Sequence, residues 1–198
     1  NFGFSIMFEP ALYTSEYKYT GILQYINYPM PQPLYERTSK LYPTFNMAIP
    51  DQFRIDQFIK EFDNKWISGK DTMPELITVI IPNDHGADER PEAGYPFRES
   101  YMADNDLAVG RIVEYLSHTP YWNNMMIVIT EDDAQNGPDH VDAHRSPAYI
   151  AGGFVKKGFV DHTMYSTSSA LRTIELILGL PPMSQYDASA TPLANAFL

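Results

Sequence analysis

Apolar residues fall along this chain in two rhythms. From Asp51 to Gly69, the residues Ile55, Phe58, Ile59, Phe62 and Trp66 recur at helical spacing, which predicts an amphipathic helix with one buried face. Pro50-Asp51 opens it, with Asp51 as the expected N-cap, and Gly69 closes it. A second helix is predicted from about Arg98 to Ser117, where Val109, Ile112, Val113 and Leu116 share a face and Pro120 ends the run. Asp104 and Asp106 lie early in it, where the macrodipole favours acids, and His118 follows its last turn as a helix-end cation. A third begins near Ser166 to Ser168, turns Leu171, Ile174, Ile177 and Leu178 inward, and stops at Gly179 before Pro181-Pro182. Residues 188–198 predict a small terminal helix after Pro192.

Between the helices the rhythm changes to short continuous apolar runs. Leu76 to Ile81 and Met126 to Thr130 are rich in β-branched residues and predict strands buried on both faces; Pro147 to Ala151 predicts a third. Alternation of helices with such strands predicts an α/β fold, a mainly parallel central sheet flanked by helices. Residues 1–50 fit neither rhythm. Tyr13, Tyr17, Tyr19, Tyr25, Tyr28, Tyr35 and Tyr42 are scattered among prolines, and low charge with many aromatics argues against disorder. That segment is expected to be an irregular packed region or a partner-facing cap, with the domain proper spanning 51–198.

Composition narrows the function classes. A hydrophobic fraction of 44% with 20% charged residues is globular, and a net charge of -11 argues against affinity for nucleic acid or an anionic membrane. A bound metal could still reverse the sign locally. There is no cysteine, which excludes disulfides, zinc ribbons and thiol nucleophiles. No apolar run approaches the roughly 20 residues of a membrane span. The chain opens at Asn1-Phe2-Gly3-Phe4, as a mature form or a piece of a longer protein would.

The candidate chemistry sits where two predicted strands end. Met126 to Thr130 stops at Glu131, Asp132 and Asp133, followed by a loop with Gly137-Pro138 that carries Asp139, His140, Asp142 and His144. Leu76 to Ile81 stops at Pro82-Asn83-Asp84-His85-Gly86, followed by Asp88 and Glu89. A lone Asp-His pair after a strand is usually a solvated turn. Two such endings point to a shared site at the carboxyl ends of strands, and crowded carboxylates and imidazoles are unfavourable unless a cation joins them. An EF-hand fails at Ala134 and Ala143, and a zincin fails at Val141. Neither a Gly-rich phosphate loop, a nucleophile-elbow serine nor a dinucleotide fingerprint is present. The donors suit zinc, manganese or another divalent transition ion, and calcium less readily. The bland alternative is an acidic, solvated loop rim.

Ile129 to Asp133, then His144, resembles the carboxyl-terminal metal-binding half of the alkaline phosphatase superfamily. More closely, Pro82 to His85, Ala103 to Ala108, Glu131 to Arg145 and Tyr165 to Ser169 resemble the phosphoesterase (phospholipase C and acid phosphatase-like) family, over roughly Asp51 to Asp187. The run through Arg145 is the specific part of the likeness. The resemblance implies an incomplete alkaline phosphatase-like α/β fold. It also implies metal-dependent hydrolysis of phosphate esters with two divalent ions, through a serine or threonine nucleophile. Asp132 and Asp133 match the adjacent ligands of one metal. His144 and Asp84 match ligands of the other, with His85 a further ligand. His140 matches a group contacting substrate phosphate or a metal, Asn83 is taken as substrate-binding, and Arg145 as structural. No nucleophile with the family's surroundings occurs in residues 1–50; Thr14, Ser15, Thr20, Thr38 and Ser39 all lack them. The expectation is a carboxyl-terminal part of a larger periplasmic or secreted enzyme, its partners a small phosphoester and the missing amino-terminal part. A non-catalytic metal-binding or interaction domain, and a sulfatase or mutase, remain alternatives.

Overall fold

The stripe of Ile55, Phe58 and Phe62 becomes the inner face of helix α2 (Asp51–Phe62), where all three are buried. This computed structural model describes residues 31–43, 45–132 and 146–198. The chain divides into two compact units, Asn1–Tyr115 and Leu116–Leu198, and among the described residues no helix is long and apolar enough to cross a membrane.

In the first unit a short helix α1 (Gln32–Glu36) precedes α2, and Asp63–Ile67 extends α2 by a wider turn that ends at Gly69 (φ 73°). Helix α3 (Glu99–Ser117) packs beside α2. Arg111 reaches Gln52 and Asp56, and Tyr115 donates to Asp63 Oδ1 at 2.5 Å. Asp104, one turn pair earlier, meets the start of α2 at Asp51 and Gln52. Partners advance along both helices together, so α2 and α3 run parallel. Phe62 forms the aromatic centre, edge-on to both Trp66 and Tyr115. Part of the segment expected to be an irregular cap packs here as well, with Tyr42, Met47, Ala48 and Ile49 buried.

Leu76 to Ile81 does not form a ladder; Val79 holds a single bridge position. Side chains take the place of a neighbouring strand. Tyr42 Oη donates to Ile80 O at 2.8 Å and Asn105 Nδ2 to Ile81 O at 2.8 Å, so two carbonyls of the run are satisfied by side chains. Where alternation predicts a mainly parallel central sheet, the described residues are a mixture of helices with one two-stranded sheet.

That sheet belongs to the second unit. Strands β1 (Met126–Thr130) and β2 (Ala148–Gly152) pair antiparallel, from Met126 opposite Gly152 to Thr130 opposite Ala148. Consecutive strands with no intervening described helix pair this way because parallel neighbours need a crossover connection. Gly152 must be glycine: at φ 145° an added Cβ would lie on the Met125 carbonyl. Helix α4 (Thr167–Leu178) ends at Gly179 (φ 67°), and Leu180 N bonds back to Glu175 O at 2.8 Å, closing the helix in a left-handed cap. Its predicted apolar stripe is only partly covered. Leu171, Ile174 and Leu178 are half-buried and Ile177 is exposed, while Ser169 and Thr173 are buried. Thr173 explains the difference, because its hydroxyl donates to Ser169 O and accepts from Leu193 N, binding the terminal segment to α4. In place of the small terminal helix predicted for 188–198 there are helix α5 (Gln185–Ser189) and a single turn at Ala194–Ala196. Hydrogen bonds from Lys156 N to Ala196 O and from Leu198 N to Phe154 O hold the terminus down.

Candidate functional site

The first predicted cluster is a tight turn set on a buried polar frame. Ile81 is extended (φ -125°), Pro82 starts a single 3-10 turn through His85, and Gly86 (φ 68°) ends it. A proline at the first helical position loses no backbone hydrogen bond, and the positive φ suits glycine alone without strain. Asn83, inside the turn, is fully buried. Its backbone N donates to Asp51 Oδ2 at 3.0 Å. Its side-chain nitrogen donates to Asp104 Oδ2 at 2.7 Å and to the Tyr95 hydroxyl at 3.1 Å.

Asp104 gathers donors from three segments. Besides Asn83, Oδ2 accepts from Asp51 N at 2.7 Å and from Tyr95 Oη at 3.0 Å, and Oδ1 from Gln52 N at 3.4 Å. A carboxylate on α3 therefore caps the amino end of α2. Asp51, expected as that helix's N-cap, is instead its first residue and fully buried. It pairs with the fully buried Arg54 at 3.1 Å and accepts from Asn105 Nδ2 at 3.0 Å. Arg54 also donates to Ile49 O and Asn46 O. Burial raises the Asp51 carboxyl to about 6; Arg54 opposes the rise and Asp104 adds to it. Burial also pushes the Tyr42 hydroxyl upward, so it serves Ile80 as a neutral donor.

On the outer side of the turn, Asp84 is half-buried and His85 is exposed. His85 Nδ1 lies 3.3 Å from Gly86 O, which can only accept, so Nδ1 is the donor wherever this contact is a hydrogen bond. Phe45 meets the imidazole edge-on at 5.9 Å. This is the second contact holding the ring.

In the second unit Asp132 is exposed just beyond β1. Ser146 Oγ donates to Glu131 O at 2.7 Å; with the Thr130–Ala148 pair this holds residues 131 and 146 side by side. Asp133, His140 and His144 lie outside the described residues. Thus the structure brings Asn83, Asp84 and His85 together on one turn, with Asp132 on the other unit. Among the described residues no group of three or more His, Asp or Glu is clustered as a metal cage. Within the first unit the donor types at the turn nevertheless fit a divalent ion: the Asp84 carboxylate, and the His85 imidazole with one nitrogen turned to a backbone carbonyl.

Asp51, Tyr95, Asp104 and Asn105 were not predicted as site-supporting residues. A signal was present. In α3 the buried residues Tyr101, Ala108 and Ile112 define the inner face, and Asp104 and Asn105 flank them on either side in helical phase. Two polar residues on an apolar face require buried partners.

The model of the Phosphoesterase family matches residues 11–181 of the chain. No curated protein and no solved structure matches it.

Proposed function

The chain belongs to the phosphoesterase family, and from that premise we propose that it works in metal-dependent hydrolysis of phosphate esters. The proposed setting is an alkaline phosphatase-like α/β domain with a mainly parallel sheet, completed by an amino-terminal part that supplies the nucleophile. Periplasmic or secreted location and a small phosphoester substrate belong to the same reading. The observation that carries it, beside the family match, is the Pro82–His85 turn. It presents a carboxylate and an oriented imidazole on a backbone fixed from inside.

Two divalent ions, zinc or manganese in preference to calcium, are the proposed cofactors. Asp84, His85 and His144 are assigned to one, Asp132 and Asp133 to the other. When bound, such ions stabilise the attacking and leaving oxygens of a phosphoryl transfer. The protein's own groups do the remaining work. The Gly86 carbonyl faces His85 Nδ1, which turns Nε2 toward a ligand. The Asp104–Asn83–Asp51 frame holds the turn in place before substrate arrives, which removes an ordering cost from the reaction. His140 is assigned to the substrate phosphate. Asn83, fully buried, takes its part on the substrate side indirectly, by holding the turn from inside.

The test is hydrolysis of p-nitrophenyl phosphate and bis(p-nitrophenyl) phosphate by the full-length protein, before and after chelation. Turnover should vanish with the chelator and return with zinc or manganese, and His85→Ala should lower kcat/KM by about 100-fold. A metal-loaded protein with no turnover of either ester would sink the reading.

A further inference from the structure

Between the turn and α3 the chain makes a closed excursion from Gly86 to Arg98. Arg90 and Tyr95 pair across it, with N–H···O distances of 2.7 and 3.0 Å. Ala93, Tyr95 and Tyr101 bury themselves with Met47, and Phe45 and Ala87 pack against that cluster. Tyr95 and Tyr101 stack at 4.0 Å with only 5° between their planes, and Tyr101 Oη donates to Asp88 O at 3.1 Å. Both ends of the loop are therefore anchored on a packed core, and they meet. A Cβ built at Gly86 would lie 3.1 Å from Arg98 Nε, 3.5 Å from its Cγ and 3.8 Å from Nη2. The guanidinium lies across the glycine that follows His85 in the chain.

Two features set this arginine apart from a surface charge held by its neighbours. Asp84, Asp88, Glu89, Glu92 and Glu99 all lie in or beside the loop, yet the Arg98 guanidinium makes no hydrogen bond or ion pair among the described residues. Its hydrogen-bonding fork is left unspent in an acid-rich surface. The backbone at Gly86 favours glycine through its positive φ, and the Arg98 side chain packs against it. An exposed arginine fork with its donors unspent matches the paired oxygens of a phosphate.

We propose that Arg98 is a substrate-binding residue whose guanidinium, lying over Gly86, contacts the non-bridging oxygens of the phosphoryl group. This rests on the phosphoesterase reading above and adds to it a cationic group drawn from outside the metal ligands.

The experiment compares wild type, Arg98→Met and Arg98→Lys in the full-length protein, measuring KM and kcat for p-nitrophenyl phosphate and the inhibition constant of inorganic phosphate. Methionine keeps the packed stem and removes the charge; lysine keeps the charge and removes the fork. Arg98→Met should raise KM and the phosphate constant by about 10–100-fold while kcat and metal content stay within about threefold, with lysine between. Equal constants in wild type and Arg98→Met would overturn the assignment, as would a change confined to kcat. If wild type hydrolyses no phosphoester, the functional reading falls but Arg98 is still tested by titration calorimetry with inorganic phosphate. Binding weakened tenfold or more by Arg98→Met supports it, and unchanged binding refutes it.

Discussion

At the scale of single residues, the buried carboxylate of Asp51 links the site's support to pH. Burial lifts it to about 6 from the usual 3.8. A carboxyl whose folded value exceeds its unfolded one favours folding most when protonated. That contribution is complete below about pH 4 and is lost as pH rises through about 6. Asp51→Asn cannot titrate, so the stability of wild type relative to the variant should fall between pH 4 and pH 7. The expected fall is on the order of 3 kcal/mol. Urea unfolding of both proteins at the two pH values measures this; parallel pH curves would refute the assigned shift. Little of this was legible in the sequence. Asp51 read as a solvated cap because its partners Asn83, Asp104 and Asn105 lie 32 to 54 residues away, beyond any local pattern. The turn residues Asn83, Asp84 and His85 were legible, since an apolar run ending in Pro-Asn-Asp-His announces itself.

At the scale of elements, helices were readable and strands less so. The 3.6-residue stripe of Ile55, Phe58 and Phe62 places its own buried face. Leu76 to Ile81 carries the same β-branched signal as Met126 to Thr130, yet among the described residues only the latter belongs to a ladder. Tyr42 and Asn105 satisfied the former's carbonyls instead. Helix ends were a matter of local chemistry, as α5 shows. Tyr186 N donates to Ser184 Oγ at 3.2 Å, and Asp187 accepts from Ser184 N at 2.8 Å and Met183 N at 2.6 Å. The Ser184 hydroxyl, with the Met183 N–H, holds the Asp187 carboxyl below its ordinary range. Ser184→Ala removes one half of that reciprocal cap and should lower the unfolding free energy by about 0.5–2 kcal/mol, read from a urea midpoint at neutral pH. Because Asp187 is depressed, its contribution is present above about pH 4 and is lost as pH falls below that.

For the whole molecule the dominant quantity is charge. A net charge of -11 repels an anionic substrate over distances longer than any contact. Salt screens that repulsion, with a Debye length of about 10 Å at 0.1 M, and leaves contacts of 3 to 4 Å largely intact. KM for p-nitrophenyl phosphate should therefore fall about twofold between 0.02 and 0.2 M sodium chloride. A rise in KM over that range would mean that long-range repulsion does not limit binding.

The parallel course of α2 and α3 has an electrical result at the site. Helix α2 contributes about half a positive charge at its amino end, where Asp104 on its parallel neighbour meets Asp51 N and Gln52 N. That half charge and the Arg54 cation together offset most of the negative charge of Asp51 and Asp104. An antiparallel arrangement would leave the same interior with surplus negative charge.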